Sequence, residues 1–396
     1  MRHLQTLCSV EPDRRLGGPG NDSAVRYVAA QLEDLGWATS LQWFDCLGWH
    51  TDGGEVRIDG TTHAVEPAPY GAGVSTRGRL VAAATAEELA AADAGGAILL
   101  LHGGLTAHPL TPRGYPFYES AEDEAVLRLI EGSAAAAVVA VTGRFPEMCG
   151  AVDPFPFIED GSVGVPAASV GTTTGAALLD RVGRHAEIHL GSRRWPARGA
   201  NVVARRGRQD RRITLVAHID TTPGTPGALD NGTGVVTLLR VAEALRDGGF
   251  DHGTGIELLV VNGEDTYSAA GEVRYLAGAD LHEVALAINV DGIGLPGGDT
   301  AWSLYGCPDE LADVLRGQLE LPGLVEGPAW VQSDHAIFAM RGRPALAFTS
   351  ADLGAALGSV AHAPTDTPDG VDMRTVETTA GGIVEVVRVL TGARAS

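Results

Sequence analysis

The sequence predicts an α/β protein: a three-layer sandwich with a mostly parallel central sheet, plus an inserted β/α domain. Three observations predict it. From about residue 201 onward, apolar strand-like runs alternate with helical stretches. Those runs are continuous rather than alternating, as strands covered on both faces are. Between about Leu47 and Pro196 the texture changes to short segments separated by Gly and Pro turns. The 396 residues, 44% of them hydrophobic, suffice for two compact units. The expected division is 1–46 and 197–396 as one main domain and 47–196 as the insert.

From Asn21 to Gly36, the apolar residues Val25, Val28, Leu32 and Leu35 recur at helical spacing, with Asn21, Asp22 or Ser23 as cap and Gly36 as stop. Ala38 to Cys46 alternates loosely like a strand. Short strands are expected at Glu55 to Ile58 and Thr62 to Val65. Inside the insert the strongest segments are an apolar run Ala97 to Leu101, a helix Glu122 to Gly132, a second run Ala134 to Val141, and a helix Gly175 to Val182. Beyond it come a strand Ile213 to Ala217, a helix Val235 to Leu245, and strands Ile256 to Asn262 and Ala285 to Val290.

Composition narrows the function. A formal net charge of -21, from 50 acidic against 29 basic residues, repels phosphate backbones and anionic lipid, so neither nucleic acid nor a membrane surface is an expected partner. No lysine occurs anywhere in the chain. That excludes a Schiff-base lysine, a pyridoxal phosphate anchor and a P-loop lysine. The four cysteines, Cys8, Cys46, Cys149 and Cys307, are widely spaced and form neither a CxxC pair nor a disulfide framework. The N-terminal residues lack a signal-peptide apolar core and no run of 18 apolar residues follows, so a cytoplasmic location is expected. Oligomeric state has no signal in the sequence.

In open α/β sheets ligands bind beyond the carboxyl ends of the strands, so the residues that follow each apolar run are the informative ones. After Ile213 to Ala217 stand His218 and Asp220; after Ile256 to Asn262 stand Glu264 and Asp265; after Ala285 to Val290 stands Asp291. Any one alone reads as a turn or cap residue. Together they are a set of metal ligands by type. Asp230, in the Gly-rich approach to the next helix, reads as its N-cap or as a further ligand. His362, in a polar Pro-containing loop, reads as a surface residue or as the last ligand.

This constellation closely resembles the M28 family of metallopeptidases over most of the chain. The resemblance implies two Zn2+ ions: Asp230 bridging both, His218 and Asp291 on one, Asp265 and His362 on the other. It further implies that Glu264 is the general base acting on a water between the ions, and that Asp220 orients the imidazole of His218. One departure is that the family commonly has Glu-Glu where this chain has Glu264-Asp265, a side chain one methylene shorter. His335, in Ser333-Asp334-His335, competes with His362 for the last ligand and is placed second, because His362 is followed by Asp366-Thr367 as in the family. The insert, on pattern alone, resembles a protease-associated domain.

The implied activity is amide-bond hydrolysis of a small peptide or amide substrate, an aminopeptidase first, with a deacylase or a carboxypeptidase as alternatives and a non-catalytic relative behind them. A carboxypeptidase needs an arginine beside the metals, for which Arg113, Arg274, Arg341 and Arg343 are candidates. Glutaminyl cyclases share the fold but dispense with the first His, so the presence of His218 argues against that activity. Tyr115 and Tyr118, between the two apolar runs of the insert, either line a pocket or pack their own loop.

Overall fold

A computed structural model describes residues 1–142, 163–246, 253–265, 267–330, 332–352, 354–356 and 360–392. Cys149 lies outside them. Chain contacts divide the molecule into two compact units, one of Met1–Phe44, Gly199–Asp265 and Ala269–Ser396, the other of Asp45–Arg198 and Thr266–Ser268.

In chain order the elements are α1 (Arg2–Cys8), α2 (Pro19–Asp34), β1 (Ala38–Ile58), β2 (Thr61–Pro67), β3 (Val74–Ala83), α3 (Ala86–Ala91), β4 (Ile98–Leu101), α4 (Ala121–Gly132), β5 (Ala137–Thr142), β6 (Ala167–Gly171), α5 (Thr172–Leu179) and β7 (His185–Arg206). There follow β8 (Arg212–His218), α6 (Thr233–Ala244), β9 (Gly255–Val261), α7 (Ala270–Leu276), β10 (Val284–Val290), β11 (Thr300–Tyr305), α8 (Asp309–Gln318), β12 (Leu324–Glu326), α9 (Ala336–Ala339), β13 (Ala345–Ser350) and α10 (Met373–Thr391). No helix among the described residues is long and apolar enough to cross a membrane.

The first unit carries strands in the order β7-β9-β8-β10-β13-β11-β12. Its centre is parallel: β9 with β8, β8 with β10, and β10 with β13. The flanking pairs β7 with β9 and β13 with β11 are antiparallel. Successive strand residues point to opposite faces, and both faces are covered. On one, Leu215, Leu258, Ile288 and Phe348 pack into a single core with Val28 of α2, Val236 of α6 and Ile383 of α10. On the other, the fully buried Glu257 accepts a hydrogen bond from the Tyr275 hydroxyl of α7 (2.6 Å), and the Tyr275 ring lies against Phe338 of α9. This is the three-layer sandwich expected from the continuous apolar runs.

Two elements differ from the sequence expectation. Helix α2 starts at Pro19 with Gly18 at its N-cap, two residues earlier than expected. Asn21 is therefore no cap: it is buried and its amide donates to the Arg14 carbonyl (2.7 Å) and to Asn262 Oδ1 (2.8 Å). The strand read in two pieces, 38–46 and 55–58, is one continuous β1, because Gly53 and Gly54 sit within the strand and not in a turn.

The second unit has its own sheet, ordered β1-β2-β6-β5-β4-β3-β7, parallel from β6 to β3 and antiparallel at its margins. Leu99, Leu101, Val138 and Ile130 form one of its cores; Ile98, Leu100, Val139 and Leu178 form another on the opposite strand face. Tyr115 and Phe117 are buried and stack edge-on at 4.8 Å, so this loop is packed by its own aromatics, with Tyr118 the exposed member.

Candidate metal centre

Strand β8 ends in His218, β9 runs into Glu264 and Asp265 two turn residues later, and β10 is followed at once by Asp291. Because the three strands are parallel and in register, their ends deliver these side chains to one place. Asp230 arrives from the irregular turn before α6 and His362 from the loop after β13, in a left-handed conformation (φ 60°) uncommon for a side chain of this size.

The side chains converge. Nε2 of His218 lies 3.2 Å from Asp230 Oδ1, 3.5 Å from Asp291 Oδ1 and 4.0 Å from Glu264 Oε2. Nε2 of His362 lies 3.1 Å from Asp230 Oδ2 and 3.1 Å from Asp265 Oδ1. Asp230 thus presents one oxygen to each imidazole. Two groups of three, His218 with Asp230 and Asp291 and Asp230 with Asp265 and His362, each bring one ligand atom per residue within 4.8 Å of one another. A third grouping, His218 with Asp220 and Asp265, is geometrically similar. Its Asp220 oxygens are already taken by backbone amides.

Divalent cations fit this donor set on two observations. Both ring nitrogens of His218 are fully buried and neither makes a hydrogen bond, although carboxylates face it. Four carboxylates, Asp230, Glu264, Asp265 and Asp291, face only two imidazoles, so even full protonation of both rings leaves buried negative charge uncompensated.

Proton affinities in the metal-free chain reflect the same imbalance. Burial raises Glu264 well above the usual carboxylate range, opposed by His218 and reinforced by Asp265 and Asp291. Burial likewise lifts Asp265 to about 6. Asp230 is lowered in spite of its burial, because both imidazoles face it. Burial works against charging of both imidazoles, and the surrounding carboxylates outweigh it, so His218 and His362 rise well above the ordinary imidazole value.

Around the cage stands a layer of positioning contacts. Asp220 accepts the backbone N–H groups of Gly263 (2.6 Å), Glu264 (3.2 Å) and Asp265 (3.1 Å), while its distance to His218 Nδ1 is 3.8 Å. These bonds hold the 263–265 turn, and the 3.8 Å separation from the first imidazole is longer than a hydrogen bond. Asp265 Oδ2 accepts the Thr222 N–H (2.9 Å), and the shorter side chain still reaches His362. Ser333 donates to Asp291 Oδ2 (2.7 Å) and accepts from Asn289 (2.8 Å). His335 is buried outside the cage. Its Nε2 faces the Trp330 carbonyl at 3.0 Å and its Nδ1 faces the Asn289 amide at 3.4 Å; burial takes its pKa down to about 4, so it is a neutral packing residue.

Sequence reading missed Glu272 of α7, which is fully buried beside Asp334, the two carboxylates having no hydrogen-bond donor from other groups among the described residues; burial raises both, Glu272 to about 7. An acid on a short helix carries no signal of burial. Of the arginine candidates, Arg113 grips Glu131, Arg274 donates to the Trp43 carbonyl, Arg341 to that of Ile337 and Arg343 to that of Val284. Among the described residues no guanidinium pairs with a cage carboxylate. A cavity of about 570 Å³ in the second unit, between Arg77, Arg79, Asp93 and His185, contains none of the cage residues.

Imidazoles and carboxylates gathered at the carboxyl edge of a parallel sheet, inside a three-layer sandwich, make a donor set suited to divalent cations. Residues 201–387 match the peptidase family M28 model. A curated relative, the probable lipoprotein aminopeptidase LpqL of Mycobacterium tuberculosis, is 24% identical over 343 residues, covering 84% of this chain; the chain spans only 65% of that relative's length. Among solved structures, an aminopeptidase from Aneurinibacillus sp. strain AM-1 superposes with a TM-score of 0.75 at 20% identity, covering 100% of this chain and 93% of its own. BSAP, a zinc aminopeptidase from Bacillus subtilis, does so with 0.73 at 18% identity, covering 98% and 93%.

Proposed function

We propose that the chain is a two-metal aminopeptidase that hydrolyses the amide bond at the free amino end of small peptides. The observation that carries the reading is Asp230, whose two oxygens each face a different imidazole at just over 3 Å. His218 and Asp291 would hold one ion, Asp265 and His362 the other, with Asp230 between; the donor set suits Zn2+. Such a pair, when bound, supplies Lewis acidity toward the scissile carbonyl and lowers the pKa of the attacking water.

The chain's own residues do the rest. Glu264 is the carboxylate of the cluster left over when the ligands are assigned, and it sits beside His218. It takes the proton from the attacking water and gives it to the departing amine nitrogen. Asp220 keeps that carboxylate and Asp265 in fixed relation by binding three successive amides of their turn. The engagement of Arg113, Arg274, Arg341 and Arg343 elsewhere supports an aminopeptidase over a carboxypeptidase, which would need a guanidinium for the substrate's carboxylate.

Further parts of the proposal are a cytoplasmic protein that binds neither nucleic acid nor membrane, and a second unit of the protease-associated kind. The relative named as a lipoprotein is the counter-indication on location.

The test is a panel of unblocked dipeptides, aminoacyl anilides and N-acyl amino acids, assayed with the zinc-loaded chain and with Glu264→Gln. Free amino acids are expected from unblocked substrates. The Gln variant should fold and keep its zinc while kcat falls by about 10²- to 10⁴-fold, the usual contribution of a positioned acid-base group. Cleavage confined to N-acyl compounds would make the chain a deacylase. Near-normal turnover by the variant would remove Glu264 as base.

A further inference from the structure

Arg14 is 1% exposed and, among the described residues, has no carboxylate within 4.0 Å. A guanidinium buried without a counter-ion is destabilising unless its donors are satisfied. Here backbone carbonyls satisfy them. Nε donates to Ile219 O (2.8 Å), one terminal nitrogen to Pro226 O (2.7 Å) and Leu7 O (3.2 Å), and the other to Gly227 O (2.7 Å).

Those carbonyls are not a random sample of the fold. Ile219 lies between His218 and Asp220, and Pro226 and Gly227 lie just before Asp230. The guanidinium therefore ties together both ends of the loop that separates the first imidazole from the carboxylate facing both imidazoles. Its neighbour Asp13 holds the middle, accepting the Gly224 N–H at 2.7 Å. The fit is close: Gly227 is left-handed (φ 64°), and a Cβ there would lie 2.1 Å from Thr221 Cγ2 and 2.9 Å from the guanidinium.

We infer that Arg14 is a positioning residue for the metal cage, fixing the spacing of His218 and Asp230 through the 219–227 loop. The inference deepens the two-metal reading and rests on it. A lysine keeps the charge but offers one compact donor centre where the planar fork reaches carbonyls on both sides, so it cannot replace Arg14.

The experiment uses the full chain with Arg14→Lys, Arg14→Met and a control, Arg206→Met, whose guanidinium donates to the Leu245 carbonyl remote from the loop. Zn2+ affinity is measured by chelator competition. Amide hydrogen exchange across 221–230 is measured on the metal-free protein. Both Arg14 variants should keep wild-type far-UV circular dichroism, bind Zn2+ at least about tenfold more weakly and exchange those amides at least about tenfold faster; the control should lower Tm and change neither. Should Arg14→Met not fold, Arg14→Lys decides. Wild-type affinity and exchange in a folded Arg14 variant would overturn the inference. Failure of the unaltered chain to bind Zn2+ would overturn the two-metal reading instead, with the exchange data still judging whether Arg14 holds the loop.

Discussion

Asp230 does what a capping residue cannot, since a cap spends its oxygens on backbone N–H groups at its own helix start, whereas both oxygens of Asp230 face imidazoles. Its own backbone is held from outside. Asp366, 1% exposed, accepts the N–H of Leu229 (2.7 Å) and of Asp230 (3.0 Å), tying the loop of His362 to the turn of Asp230. Asp366→Asn turns one acceptor into a donor facing an N–H, so urea unfolding of the metal-free chain at pH 8 should show a loss of about 1–3 kcal/mol. An unchanged midpoint would mean these two hydrogen bonds are not made in solution. At this scale the ligand types were legible, because His and Asp directly after apolar strands are conspicuous. Arg14, Ser333 and Glu272 were not, since their partners are backbone groups or residues distant in sequence that no local pattern announces.

Each of the parallel strands β9, β8 and β10 ends at the same edge, which is why residues far apart in sequence meet; the helices that follow β8 and β9 start there. Gly234, at the start of α6, shows how close the approach is: a Cβ would lie 2.4 Å from the Val290 carbonyl at the end of β10. The opposite face carries the buried Glu272–Asp334 pair between α7 and the segment before α9. Burial raises the Glu272 carboxyl to about 7, against about 4.5 for an exposed glutamate, so the folded chain holds a proton there that the unfolded chain has released. The associated stability is present below pH 4.5 and is lost as pH rises through about 7. The metal-free protein should therefore lose urea resistance between pH 5 and 8, and Glu272→Gln, neutral throughout, should flatten that slope. An identical slope in the variant would contradict the assignment. Element positions were readable from apolar runs because tertiary burial and periodicity agree in them; the start of α2 is instead marked by Pro19 at its first helical position, ahead of the apolar periodicity, and the unbroken β1 was hidden because Gly53 and Gly54, turn formers by type, lie inside the strand.

Over the whole molecule, continuous apolar runs implied a sheet covered on both faces, and that is the architecture of the first unit. Tyr267 and Ser268, which belong to the second unit, had no sequence signal, since contact membership is not written in local composition. The charge of -21 is too large to come from the cage, whose carboxylates number only a few, so most of it is a solvated acidic surface. What unites the scales is the proposal that two cations share Asp230. Anomalous diffraction at the zinc edge from crystals of the Zn2+-loaded chain tests this most directly. Two peaks are predicted, one among His218, Asp230 and Asp291 and one among Asp230, Asp265 and His362; zinc bound elsewhere on the chain, with no peak in the cage, would contradict it.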